Sequence, residues 1–224
     1  MNLGRFAAEL PSLFEDFPES AHPRGRRFDD IASSVPNLAT ENTLAVVNLA
    51  ASLLDEGECY VEAGTYMGAS LIAAARGNDG TDLVAIDRFR FGPMTVEGRD
   101  LPAASREALE GNLERFGVRA TILEGDALEL LRGDALSGRR VGAFYYDACH
   151  DYDEQLEALR LVERHLADAA LVIVDDSDWE QVGLAVDDYL AGQPGARKLL
   201  EIPGSAEGRP WWWEGMTVLA WGGQ

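Results

Sequence analysis

From Thr40 onward the chain changes between two rhythms of apolar and polar residues. Leu44, Val47, Ala51 and Leu54 recur at the spacing of one helix face, and Gly57 follows as a stop. Beyond it, short apolar runs at 58–63, 82–87, 120–124, 141–147 and 169–175 read as strands. Helical patterns at 66–76, 105–116, 127–131, 152–166 and 179–190 follow them one by one. Leu109, Leu113 and Phe116 share a face of the second of these, with Gly117 as its stop, and Val182, Ala185, Val186, Tyr189 and Leu190 form the buried stripe of the last. A strand followed each time by a helix predicts βαβ units on a mainly parallel sheet. The C-terminal end breaks the pattern, because 198–202 and 216–221 are strand-like with no helix between them. They predict an antiparallel hairpin closing the sheet edge. The fold class expected is α/β, a doubly wound sheet of seven strands, mostly parallel.

Residues 1–40 contain Pro11, Pro18, Pro23 and Pro36 and a basic patch of Arg24, Arg26 and Arg27, which predicts an irregular or helical extension packed over a main domain at 41–224. A chain of 224 residues with 46% hydrophobic side chains suits one core. Its longest apolar runs fall short of the roughly 20 residues that span a bilayer. Glu9, Glu15 and Asp16 stand where a secretory signal would be basic and then apolar, so a soluble, cytoplasmic protein without membrane partners is expected. With 19 basic and 39 acidic residues, the net charge of -20 would repel a phosphate backbone, and nucleic acid is not expected as a partner. Lys198 is the one lysine and sits in no glycine-rich context, which removes P-loop and Schiff-base chemistry. Cys59 and Cys149 read as two buried thiols.

Candidate chemistry gathers where the strands end. The run Tyr60-Val61-Glu62-Ala63-Gly64-Thr65-Tyr66-Met67-Gly68-Ala69-Ser70 turns from strand to helix, and glycine there lets a ligand approach the backbone. The Gly64 to Gly68 spacing departs from the G-x-G-x-x-G of pyrophosphate loops, so a ligand without phosphates fits better. Glu62 is placed to meet a cationic or amine-bearing group. Asp87 ends the second strand, where a carboxylate can accept both hydroxyls of a ribose, in NAD as in other nucleosides. Asp126 either meets an adenine amino group or caps the short helix after it. Asp147, Asp175 and Asp176 end neighbouring strands, which lie about 4.8 Å apart, so their carboxylates can converge on a hard cation such as Mg²⁺. Helix capping is the alternative, and strand alternation can turn one of Asp175 and Asp176 away. His150, on the same rim, can take a proton from a hydroxyl or cap the next helix; His22 and His165 look inert. The connection 88–104 is either part of a substrate wall or an ordinary insertion, and Trp211, Trp212 and Trp213 either stack on substrate or serve packing or a contact in a homo-oligomer.

Val61-Glu62-Ala63-Gly64 with Gly68 and Ser70, Ile86-Asp87, Gly125-Asp126, Tyr146-Asp147-Ala148-Cys149-His150-Asp151-Tyr152 and Val174-Asp175-Asp176 together resemble the class I methyltransferases. Within these, the chain is similar to the small-molecule O-methyltransferases of the macrocin, cephalosporin hydroxylase-like and catechol groups, from about Thr40 to the C-terminus. The resemblance implies a Rossmann-like sheet and S-adenosylmethionine as cofactor. It places the methionine part on Glu62, Gly64, Thr65, Gly68 and Ser70, the ribose on Asp87 beside Arg88, and the adenine at Asp126 and Ala127. It also places Mg²⁺ on Asp147, Asp175 and Asp176, with His150 as base for a small-molecule hydroxyl. The run from Asp147 to Tyr152 is similar to the family's Asp-Gly-Asp-His-Ser-Tyr and departs from it at Ala148, Cys149 and Asp151. Two other classes stay in view. One is a NAD-dependent oxidoreductase, which would use Gly64, Gly68 and Asp87 alike; the other is a non-catalytic SAM-binding protein, which has no need of the acids and His150 together.

Overall fold

Each apolar run expected to be a strand is one. The computed structural model describes residues 1–25, 27–96, 98–205 and 211–223, so Arg26 of the basic patch lies outside the described residues. Helices α1 (Leu3–Glu9), α2 (Asp29–Ser34) and α3 (Glu41–Ser52) precede β1 (Glu58–Ala63). There follow α4 (Ala69–Ala75), β2 (Asp82–Asp87), the small pair β3 (Met94–Val96) and β4 (Arg99–Leu101), α5 (Arg106–Arg115), β5 (Thr121–Glu124) and α6 (Ala127–Arg132). The chain ends with β6 (Arg140–Tyr146), α7 (Tyr152–Val162), β7 (Leu166–Asp175), α8 (Glu180–Gly192), β8 (Ala196–Ile202) and β9 (Met216–Gly222).

The main sheet has seven strands in the order β5-β2-β1-β6-β7-β9-β8. Its first five are parallel, and β9 inserts antiparallel between β7 and β8. The direction of winding reverses beside β1, which is where an open α/β sheet leaves a crevice at its carboxyl edge. Both faces are covered, and for that reason β1 is buried at every position instead of alternating. On one face Tyr60, Tyr145 and Ile173 pack with α3, α4 and the N-terminal residues Phe6, Leu10, Phe14, Phe28 and Ile31. On the other, Val61, Phe144 and Val172 pack with Leu159 of α7 and Val182 and Val186 of α8. No helix among the described residues is long and apolar enough to cross a membrane.

Two boundaries moved for identifiable reasons. The helix expected at 66–76 starts only at Ala69, because Tyr66 is left-handed (φ 50°) and the Gly68 N–H closes a turn on Thr65 O at 2.9 Å. The helix expected to reach 166 stops at Val162 and tightens into a 3-10 turn, Glu163–His165, where His165 Nε2 meets Leu131 O at 2.8 Å. Leu166 then already pairs with Val141.

Candidate active site at the carboxyl edge of the sheet

The ends of β2, β1 and β6 are stitched together around Gly64. Its N–H donates to Ile86 O at 2.9 Å, and the Asp147 N–H donates to Ala63 O at 2.9 Å. Gly64 has φ +91°, and a Cβ on it would lie 2.0 Å from Asp147 O, so only glycine permits this approach. Above these strand ends lies a cavity of about 560 Å³, within the range of small-molecule sites. Gly64, Asp87, Arg88, Asp126 and Ala127 line one part of it, and Asp147, His150 and Asp176 line another.

In the first part, Asp87 accepts the N–H of Tyr66 on Oδ2 (2.7 Å) and of Phe89 on Oδ1 (2.6 Å). A carboxylate has about four acceptor positions, so both oxygens keep capacity for a ligand. Asp126 caps α6 through the Glu129 N–H (3.1 Å) and also meets Arg88 Nη1 at 3.3 Å, while still facing the cavity. Glu62 does not reach the cavity wall. It is wholly buried, taking the Ser70 hydroxyl on Oε1 (2.7 Å) and the Tyr60 hydroxyl on Oε2 (2.9 Å), and burial pushes its carboxyl up to about 8. Thr65, Gly68 and Ser70 stand behind the wall with it: Thr65 and Ser70 are buried, and Gly68 backs onto Leu109 of α5.

In the second part, His150 Nε2 lies 3.5 Å from Asp147 Oδ1 and 3.4 Å from Asp176 Oδ2. That nitrogen is buried and makes no hydrogen bond within the criteria of a good one. The ligand atoms of Asp147, His150 and Asp176 all fall within 4.8 Å of one another. Two carboxylates facing one rim of the cavity fit a divalent cation, and the orphaned imidazole nitrogen between them is placed to take a proton. Asp175 points elsewhere, its Oδ2 accepting the buried Tyr145 hydroxyl. Burial, and then the charge of Asp175, push Asp147 up to about 7. Burial and their neighbours' charges push Asp175 and Asp176 up as well. For His150 burial is the largest influence and acts downward, but Asp147 and Asp176 outweigh it and the net direction is up.

Several cavity residues were not singled out in the sequence. Tyr66, Arg90, Phe91, Leu38 and Glu154 line the wall, and Trp179 sits with its ring 4.9 Å from that of His150. Tyr66 was findable from its place between Gly64 and Gly68, and Phe91 from the 88–104 connection, which supplies wall residues and the β3–β4 pair. Trp179 gave no signal, since an aromatic at the start of a helix usually reads as core. Cys149 is a correction: it lies past the end of β6 on the cavity wall and is only half-buried, because β6 stops at Tyr146. Trp212 is packing, buried between Phe14 and Phe17 with its Nε1–H on Pro18 O at 2.8 Å, whereas Trp213 lies under Arg99.

Solved structures share this architecture. The O-methyltransferase TomG from Streptomyces achromogenes, involved in Tomaymycin synthesis and solved in complex with SAM, is 20% identical over 100% of both chains, with a TM-score of 0.59. Cofactor-bound Rv0187 from MTB is 22% identical, covering 85% of this chain and 84% of its own, with a TM-score of 0.57. The O-methyltransferase from Bacillus cereus in complex with SAH is 14% identical, covering 98% of this chain and 100% of its own, with a TM-score of 0.59. At such identities the likeness shows the fold. No curated protein sequence matches the chain. A family model described as a methyltransferase domain matches residues 61–177, from β1 to just past the acids that end β7. That is more than half of the sequence, and the chain belongs to this methyltransferase family.

Proposed function

We propose that the protein is an S-adenosylmethionine-dependent O-methyltransferase acting on a hydroxyl of a small molecule with the help of a divalent cation such as Mg²⁺. The observation that carries this reading is the meeting, in one cavity, of a nucleoside-type wall (Asp87, Asp126) and a pair of cation-type carboxylates (Asp147, Asp176) beside His150. Membership of the methyltransferase family and the SAM and SAH of the solved neighbours support the cofactor. The net charge of -20 supports a small acceptor over nucleic acid. We take 41–224 as the catalytic domain and 1–40 as a wrap whose aromatic residues complete its core, and we place the enzyme in the cytoplasm.

When bound, S-adenosylmethionine supplies a sulfonium methyl that an acceptor oxygen takes in one in-line displacement, and a divalent cation lowers the pKa of that hydroxyl. The chain's own residues do the rest. Asp87, fixed by two backbone N–H groups, presents its remaining acceptor positions to the ribose hydroxyls. Asp126, with Arg88 and Ala127, borders the adenine end. Glu62, Thr65, Gly68 and Ser70 hold the shape of the Gly64 loop from behind, and the backbone of that loop would take the methionine part. Asp147 and Asp176, the acids beyond β6 and β7 that face the cavity, would hold the cation. His150 Nε2 takes the proton released by the acceptor.

Transfer of tritium-labelled methyl groups to a panel of hydroxylated small molecules tests the proposal. Label should enter oxygen acceptors, and both a chelator and His150→Gln should suppress it. Binding of the cofactor with no transfer to any acceptor would favour a non-catalytic SAM-binding protein, and label on nitrogen alone would overturn the oxygen assignment.

A further inference from the structure

A small molecule can offer its hydroxyl on a sugar or on an aromatic ring, and the wall around His150 distinguishes the two. We infer that the acceptor is a flat aromatic hydroxy compound, and that Phe91 and Trp179 are the side chains that select it. This rests on the O-methyltransferase reading above.

Among the described residues five large apolar side chains are exposed: Leu38, Phe91, Met94, Trp179 and Leu184. Leu38 and Phe91 line the cavity, and Trp179 packs on His150, which lines it too. Three of the five therefore gather at one mouth, and apolar surface collected at a cavity marks the place of an apolar ligand. Both aromatic rings are held there. The Phe91 carbonyl takes the Ala104 N–H at 2.8 Å, and its ring meets the Tyr66 ring edge to face with centroids 5.4 Å apart. The Trp179 N–H donates to Asp176 O at 3.0 Å, and its ring lies 4.9 Å from that of His150. Phe91 follows β2 and Trp179 follows β7, so they flank the cavity from opposite ends of the strand row β2-β1-β6-β7. The connection that carries Phe91 links the two sides: Arg99 lies over the Trp213 ring at 5.1 Å, and Glu214 O takes the N–H of Asp178, next to Trp179, at 2.8 Å. A sugar needs a polar partner for each of several hydroxyls. The polar side chains of the wall are engaged or lie at the adenine end. The Tyr66 hydroxyl donates to Pro102 O at 2.5 Å. Arg88 and Arg90 border Asp126 and Glu129, and the charges of Glu154 and Asp126 both act on the Tyr146 hydroxyl. What is left beside His150 is an apolar wall, which a ring bearing one hydroxyl can cover without leaving polar groups unpaired.

Calorimetric titration of 2-naphthol, cyclohexanol and methyl glucoside into the full chain loaded with S-adenosylhomocysteine tests this, with transfer of tritium-labelled methyl to the same compounds as a second readout. The aromatic compound should bind about tenfold or more tightly than either of the others and be the preferred acceptor. Phe91→Ala and Trp179→Ala should each weaken its binding by about threefold, and the double variant by about tenfold, with S-adenosylhomocysteine binding unchanged. Trp179→Phe should bind it as the parent does, because the stacking surface is kept. Preference for methyl glucoside, or no binding of 2-naphthol, overturns the aromatic assignment and leaves the O-methyltransferase reading standing. Equal binding of cyclohexanol, or a preference that survives the double variant, overturns the role given to the two rings. If Phe91→Ala weakens S-adenosylhomocysteine as much as 2-naphthol, that ring serves the cofactor and its part in selecting the acceptor is overturned. A parent protein that binds no S-adenosylhomocysteine overturns the methyltransferase reading and this inference with it.

Discussion

Glu62 and Asp147 are acids on neighbouring strand ends, both pushed upward by burial, and they are held in opposite ways. Glu62 has a hydroxyl on each oxygen, from Ser70 and Tyr60, and stands off the cavity. Asp147 lines the cavity and looks onto His150 at 3.5 Å, too far for a good hydrogen bond. An acid shut away from the cavity with a buried hydroxyl on each oxygen fixes the architecture of a loop. One that is left short of partners is available to a ligand, and the difference predicts opposite responses to substitution.

The sharpest break comes from Asp147→Asn. It should lower kcat/KM for methyl transfer by about a hundredfold or more while leaving the melting temperature nearly unchanged, as steady-state kinetics beside a thermal melt would show. Glu62→Ala should do the reverse in kind, costing about 3 kcal/mol of folding stability because two buried hydroxyls lose their acceptor, measurable by urea denaturation. The pH dependence sharpens the same contrast. Glu62 is pushed from 4.5 in the open chain to about 8 in the fold, so the folded state retains a proton that the unfolded state releases. Its contribution is therefore fully present below pH 4.5 and is lost as pH rises toward about 8. Glu62→Gln should flatten that part of the stability profile between pH 5 and pH 8, and an unchanged slope would show that Glu62 is ionised in the fold. Smaller effects belong to the rim. Asp126→Ala should cost about 1 kcal/mol through loss of the α6 cap and weaken cofactor binding besides. Trp179→Ala, at an exposed ring against His150, should raise the acceptor KM by about threefold with little change in stability.

Most of the sheet was legible because a strand buried on both faces has to be apolar at nearly every position, as β6 and the 169–174 run of β7 are. The strand-end acids could be located for the same reason, since a polar residue closing such a run must lie at the sheet's edge. What their side chains do there was not legible. Asp175 and Asp176 part company over one backbone angle at Asp176 and one hydroxyl two strand positions away on β6. The retreat of Glu62 from the cavity depends on Tyr60 and Ser70, whose hydroxyls carry no directional mark in a sequence. The β3–β4 pair escaped notice because it is mostly exposed and has no apolar alternation to betray it.

The central claim, that the carboxyl-edge cavity takes S-adenosylmethionine, is tested most directly by titrating S-adenosylhomocysteine and NADH into the protein in parallel, with Asp87→Ala as the control. Saturable binding of S-adenosylhomocysteine, weakened strongly in Asp87→Ala, with no response to NADH, is the predicted result. Binding of NADH in its place, or of neither, would contradict it.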